Sequence, residues 1–76
     1  MDIRQLFAAN LRRIRDEKKL SQEKLAYEAE VDRAHVSKIE RRVTYVGLEI
    51  VEKFSKVLRV EPAEFFQPIQ RKRPKK

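Results

Sequence analysis

The sequence predicts an all-α fold, and three observations carry that expectation. Apolar residues recur at helical spacing along most of the chain. Residues suited to begin a helix, namely Asp2, Ser21, Asp32 and Pro62, stand at the head of these apolar segments. The 76 residues bound one small domain with one modest core, and no internal repeat is visible.

The elements follow in order. The first helix is expected from about Ile3 to Lys18, with Asp2 as its cap and Gln5 placed to reach back. Ile3, Leu6, Phe7, Leu11 and Ile14 form its apolar stripe, and Arg4, Arg12 and Arg13 lie mainly on the wet side. A second helix, from about Gln22 to Ala29, starts at the Ser21 cap and turns Leu25, Ala26 and Ala29 to one side. A third, from about Arg33 to Arg41, follows Asp32 as a second cap. At about 100° per residue, Val36, Ile39 and Glu40 share its inner side, while Ala34, Lys38 and Arg41 point outward. Ser37 lies on the flank, and Arg33 in the first turn can swing outward. Only a tight corner separates these two helices, and small Ala26 and Ala29 allow their close approach. Positions 42–47 form a loop. A fourth helix, from Leu48 to Leu58, turns Leu48, Val51, Phe54, Ser55 and Leu58 inward. Pro62 opens a short fifth helix, and Phe65 closes the core. The domain is expected over residues 1–66. Residues 67–76 have two prolines, five charges and one aliphatic residue, the composition of a disordered basic tail.

Composition excludes several classes. There is no cysteine, so neither a disulfide scaffold nor a Cys-ligated zinc site is available, which fits a reducing cytoplasm. The longest apolar run is Leu6 to Ala9, too short for a membrane span or a signal peptide. The net charge is +7, but the last six residues carry five of those charges, and the remainder sets 14 basic residues against 12 acidic ones. Nucleic-acid binding therefore has to be argued from where the charges lie. With one histidine and one glycine, no nucleophile–base pair, carboxylate pair or phosphate-cradling loop is visible, and neither enzyme activity, a cofactor, a metal nor a small-molecule ligand is expected. His35 reads as a surface residue, with a DNA contact as the competing role.

The segment from Ser21 to Arg41, SQEKLAYEAEVDRAHVSKIER, carries the function. Two short helices at a corner, the second presenting Arg33, Ala34, Ser37, Lys38 and Arg41, are what a protein needs to push a helix into a DNA major groove. At these residues the chain resembles the phage-repressor-like, or Cro/XRE-type, helix-turn-helix domains. The resemblance runs from about Leu6 to Phe66 through LRRIRDEKKLSQEKLA, DRAHVSKIER and LEIVEKFSKVLRVEPAEFF. It implies a five-helix, lambda-repressor-like domain whose second and third helices read DNA. The chain is also similar, around Glu30, Asp32 and Arg33, to the small controller proteins of restriction–modification systems.

The resemblance implies roles residue by residue. Arg33, Ala34, Ser37 and Lys38 would face base edges, and Arg or Lys favours guanine O6 and N7, so at least one G is expected in each half-site. Gln22, at a helix start with free N–H groups, would hold phosphate, as would Arg41, Arg42, Thr44 and Tyr45 in the following loop. Asp32 is read as a cap and not as a contact. Arg15 and Glu40 would pair as a structural ion pair. Relatives bind inverted repeats as homodimers, one copy per half-site, and Val46, Ile50, Val57 and Phe66 are the apolar candidates for the dimer surface. The basic tail either touches phosphate or is simply solvated. The partner implied is double-stranded DNA carrying a palindromic operator, and the function is that of a repressor or autoregulatory controller of bacterial or phage origin. The alternative is a protein-interaction module on the same scaffold, such as an antitoxin or bridging factor. Relatives often place Gly where Lys19, Glu30, Arg42 and Arg59 stand. Either the local geometry differs there or the chain tolerates a left-handed residue at roughly 1 kcal/mol per site.

Overall fold

The computed structural model describes residues 2–68. Among them the chain forms four α-helices: α1 (Ile3–Glu17), α2 (Gln22–Ala29), α3 (Arg33–Glu40) and α4 (Leu48–Leu58). No strand is present among the described residues. The expected fifth helix is instead a single 3-10 segment, Pro62–Phe66. Five residues are too few to propagate an α-helix, and the bond from the Glu64 N–H to the Glu61 carbonyl (2.9 Å) closes the tighter turn. Of the expected tail, residues 69–76 lie outside the described residues.

Local chemistry sets most boundaries. The Asp2 carboxylate accepts the Gln5 N–H at 2.9 Å and caps α1. That hydrogen bond holds the Asp2 carboxyl below its ordinary pKa. The cap therefore stabilises at neutral pH and is lost as pH falls through the lowered value. The Ser21 hydroxyl accepts the Lys24 N–H at 3.0 Å and caps α2. Asp32 occupies the cap position of α3 with extended backbone, but its side chain makes no capping bond. Its role as a side-chain cap is thus corrected: only its backbone carbonyl serves α3, accepting the His35 and Val36 N–H groups at 3.0 and 3.2 Å.

Lys19, Glu30, Arg42 and Arg59 all adopt positive φ, between 60° and 66°. The left-handed turns are therefore kept without glycine. At Glu30 (φ 60°, ψ 45°) the backbone N–H bonds back to the α2 carbonyls, and Val31 N–H reaches the Ala26 carbonyl at 2.9 Å. Glu30→Gly relieves the Cβ crowding at some cost in unfolded-chain entropy, and is expected to raise stability by about 0.5–1 kcal/mol in urea unfolding. A loss of stability would show that the Glu30 side chain contributes more than its strain costs.

The core gathers residues from every element. Leu11, Leu25, Val36, Phe54 and Phe65 are fully buried, with Ile14, Ile39 and Leu58 beside them. The alanine pair Ala26 and Ala29 is also buried, which lets α2 pack close to its neighbours. Two residues expected inward are not. Ile3 is 61% exposed and Leu48 is 85% exposed. Each is the first residue of its helix, so its side chain leans toward the N-terminus, past the last layer of the core. Asn10, by contrast, is buried at 3% on the apolar side of α1.

Candidate nucleic-acid interface

The outer side of α3 follows directly from the burial of its inner side. Val36 and Ile39 are buried at 0% and 2%, and this fixes the rotation of the helix on the core. Arg33, Ala34 and Lys38 are then exposed, as is Arg41 at its C-terminal cap, while Ser37 and His35 are half-buried on the two flanks. Arg42 is exposed directly after. Among the described residues, Arg33, Lys38, Arg41 and Arg42 take part in no ion pair, and neither do Arg4, Arg12, Lys18, Lys19, Lys53 or Arg59, so what sets the four apart is their place on and directly after α3. Four exposed cations on and directly after one helix form a surface suited to phosphates and guanine edges.

A buried polar network holds this helix against α1 and α2. Arg15 Nε donates to Glu40 Oε2 at 2.8 Å, and Arg15 Nη2 donates to Glu40 Oε1 at 3.2 Å. The two side chains are only 11% and 4% exposed. Arg15 Nη1 also donates to the Leu20 carbonyl at 2.7 Å, which fixes the connection between α1 and α2. Hydrogen bonding by Glu40 raises the Arg15 pKa further above its ordinary value, against the opposing effect of burial. Because Arg15 is raised, its contribution is lost only as pH climbs through that raised value, so Arg15 gives no pH dependence near neutrality.

Gln22 joins the same network: its Nε2 donates to Glu40 Oε1 at 3.0 Å. An amide nitrogen carries two N–H groups, so one remains after this bond. The first residue of α2 is thereby tied to the last residue of α3, across the corner.

The loop after α3 carries the remaining candidates. Thr44 is half-buried and Tyr45 is 82% exposed. Arg4 of α1 stacks its guanidinium over the Tyr45 ring, 5.7 Å from the centroid. Arg4 is thereby held beside Tyr45, although nothing in the sequence pointed to a contact 41 positions away. Val46, Ile50 and Val57 are half-buried and lean on the core, and Phe66, 38% exposed, packs on Phe7 with ring centroids 5.6 Å apart. Ile50 and Val57 belong to α4 and Phe66 to the closing 3-10 segment, whereas Val46 shares the loop that carries Thr44 and Tyr45.

No group of three or more His, Cys, Asp or Glu among the described residues could hold a metal ion. No helix among them is long and apolar enough to cross a membrane.

The helix-turn-helix family pattern matches residues 11–65, which include all of α2, α3 and α4. The chain belongs to the helix-turn-helix family. This helix-turn-helix chain is 45% identical over 64 residues to control protein C.BamHI of Bacillus amyloliquefaciens, a match spanning 83% of this chain and 79% of that protein. It is similar in structure to the restriction-modification controller protein C.AhdI from Aeromonas hydrophila, with a TM-score of 0.80 and 38% identity over 83% of this chain and 96% of that one. It is also similar to C.Esp1396I bound to a 25 base pair operator site, with a TM-score of 0.77 and 32% identity over 87% of each chain.

Proposed function

We propose that this helix-turn-helix regulator binds an inverted-repeat operator as a homodimer and controls transcription in the manner of a small controller or repressor. In this reading α2 and α3 are the DNA-reading pair, α3 enters the major groove, and each copy takes one half-site. Arg33, Ala34, Ser37 and Lys38 meet base edges, while Gln22, Arg41, Arg42, Thr44 and Tyr45 follow the phosphates. Val46, Ile50, Val57 and Phe66 supply the dimer surface. The observation that carries the reading is the exposure of Arg33, Lys38, Arg41 and Arg42 on and directly after a helix whose inner residues Val36 and Ile39 are buried. Similarity to a controller found on operator DNA supports it. An interaction module would present an acidic or apolar helix there, and this one is cationic.

Autoregulation places the operator in the DNA upstream of the chain's own gene, which is the first place to look. Nuclease footprinting there is expected to show two protected half-sites related by a two-fold axis. An unprotected upstream region would count against autoregulation.

Base and phosphate roles separate in binding experiments. Lys38→Ala is expected to weaken binding to the best site by about 1–3 kcal/mol and to relax preference at one position. Arg42→Ala is expected to weaken all sequences alike and to reduce the salt slope by about one counterion. Fluorescence anisotropy on specific and scrambled duplexes distinguishes the two. Equal losses on both duplexes for Lys38→Ala would assign that residue to phosphate.

A further inference from the structure

Asn10 sits inside α1, yet its bonds reach the far end of the chain. Its Nδ2 donates to the carbonyls of Phe65 and Gln67, each at 2.9 Å, and to the Leu6 carbonyl at 3.1 Å. Arg13 Nη2 donates to its Oδ1 at 3.0 Å, which sets the amide with nitrogen toward the carbonyls. Two amide hydrogens thus serve three carbonyl oxygens, a task that only a donor at this place can perform. A carboxylate in the same shape would set oxygen against oxygen.

Phe66 stands between the two tethered carbonyls. Phe65 turns into the core at 0% exposure, and Phe66 turns the other way, 38% exposed, with its ring tilted 45° against Phe7. The two bonds from Asn10 therefore fix the backbone on both sides of the one aromatic ring that leaves the closing turn. A large apolar side chain held in one orientation loses less freedom on docking than a mobile one.

We infer that Asn10 is a positioning residue for self-association: by clipping the Phe65 and Gln67 carbonyls to α1, it presents Phe66 in the orientation onto which a second copy of this chain docks. The inference rests on the assignment of Phe66 to the dimer surface, and the experiment separates the two. Sedimentation equilibrium of the full chain over a concentration series measures dimer dissociation for the wild type, Asn10→Asp, Phe66→Ala and the double variant. Phe66→Ala is expected to raise the dissociation constant, and Asn10→Asp to raise it about tenfold, the cost of ordering one released side chain on docking. The double variant is expected to be no weaker than Phe66→Ala alone, because Asn10 acts through that ring. Arg13→Ala releases the amide without placing a charge in the core, shifts association in the same direction by a smaller factor, and decides the matter, alone and combined with Phe66→Ala, where Asn10→Asp does not fold. If Phe66→Ala weakens the dimer while Asn10→Asp and Arg13→Ala do not, or if the effects simply add, the inference is overturned and the dimer surface stands. If Phe66→Ala leaves association unchanged, the dimer surface itself is wrong, and the inference falls with it.

Discussion

Glu40→Ala is expected to destabilise the domain by about 3–5 kcal/mol, because it strands the Arg15 guanidinium without its carboxylate inside the fold. Both side chains are nearly out of solvent, so water cannot replace the lost partner in place. The loss also releases Gln22 from its bond across the corner. A chain of 76 residues has a total stability of about 4–11 kcal/mol, so the loss takes from about a quarter of that margin to all of it. Glu40→Gln keeps the volume and one acceptor but removes the charge, and should fall between the two. Urea unfolding followed by far-UV circular dichroism measures both. A loss below about 1 kcal/mol for Glu40→Ala would mean that the pair contributes no more than an exposed ion pair.

Phe65→Ala is the second large effect, at about 3–5 kcal/mol. The ring is fully buried, 5.1 Å from the Phe7 ring at a tilt of 46°, and it joins the closing turn to α1 and α4. Its removal leaves a cavity that a five-residue 3-10 segment cannot collapse to fill, since the Asn10 bond holds the Phe65 backbone in place. Thermal unfolding in parallel with Phe66→Ala separates the inward ring from the outward one. Similar losses for both would show that the two rings share the core and that Phe66 is not set apart for a surface role.

Periodicity made the inner and outer sides of α2 and α3 readable in the sequence. Leu25, Ala26 and Ala29, then Val36 and Ile39, repeat at helical spacing, and their burial leaves Arg33, Lys38 and Arg41 outside by geometry alone. Periodicity fails at helix ends: Ile3 and Leu48 continue the stripe but lie beyond the core they would have to reach. It also passes over Asn10, although the signal was present, because a polar residue midway between Phe7 and Ile14 on an apolar side needs partners. Those partners are carbonyls 55 and 57 positions away, and only the fold brings them near. The stacking of Arg4 on Tyr45 has the same origin, a contact made by the path of a loop. At the four left-handed positions, by contrast, the familiar turn geometry persists although every glycine is missing, so backbone hydrogen bonding outweighs a local preference of about 1 kcal/mol.

Selection of binding sequences from a randomised duplex pool, with the winners retested at two salt concentrations, tests operator reading most directly. An inverted repeat is expected to emerge, with half-sites about one helical turn apart and G at positions facing Arg33 or Lys38, and to outcompete random DNA at both salts. Binding that enriches no sequence and collapses as salt is raised would contradict a sequence-reading regulator and leave only cations resting on phosphates.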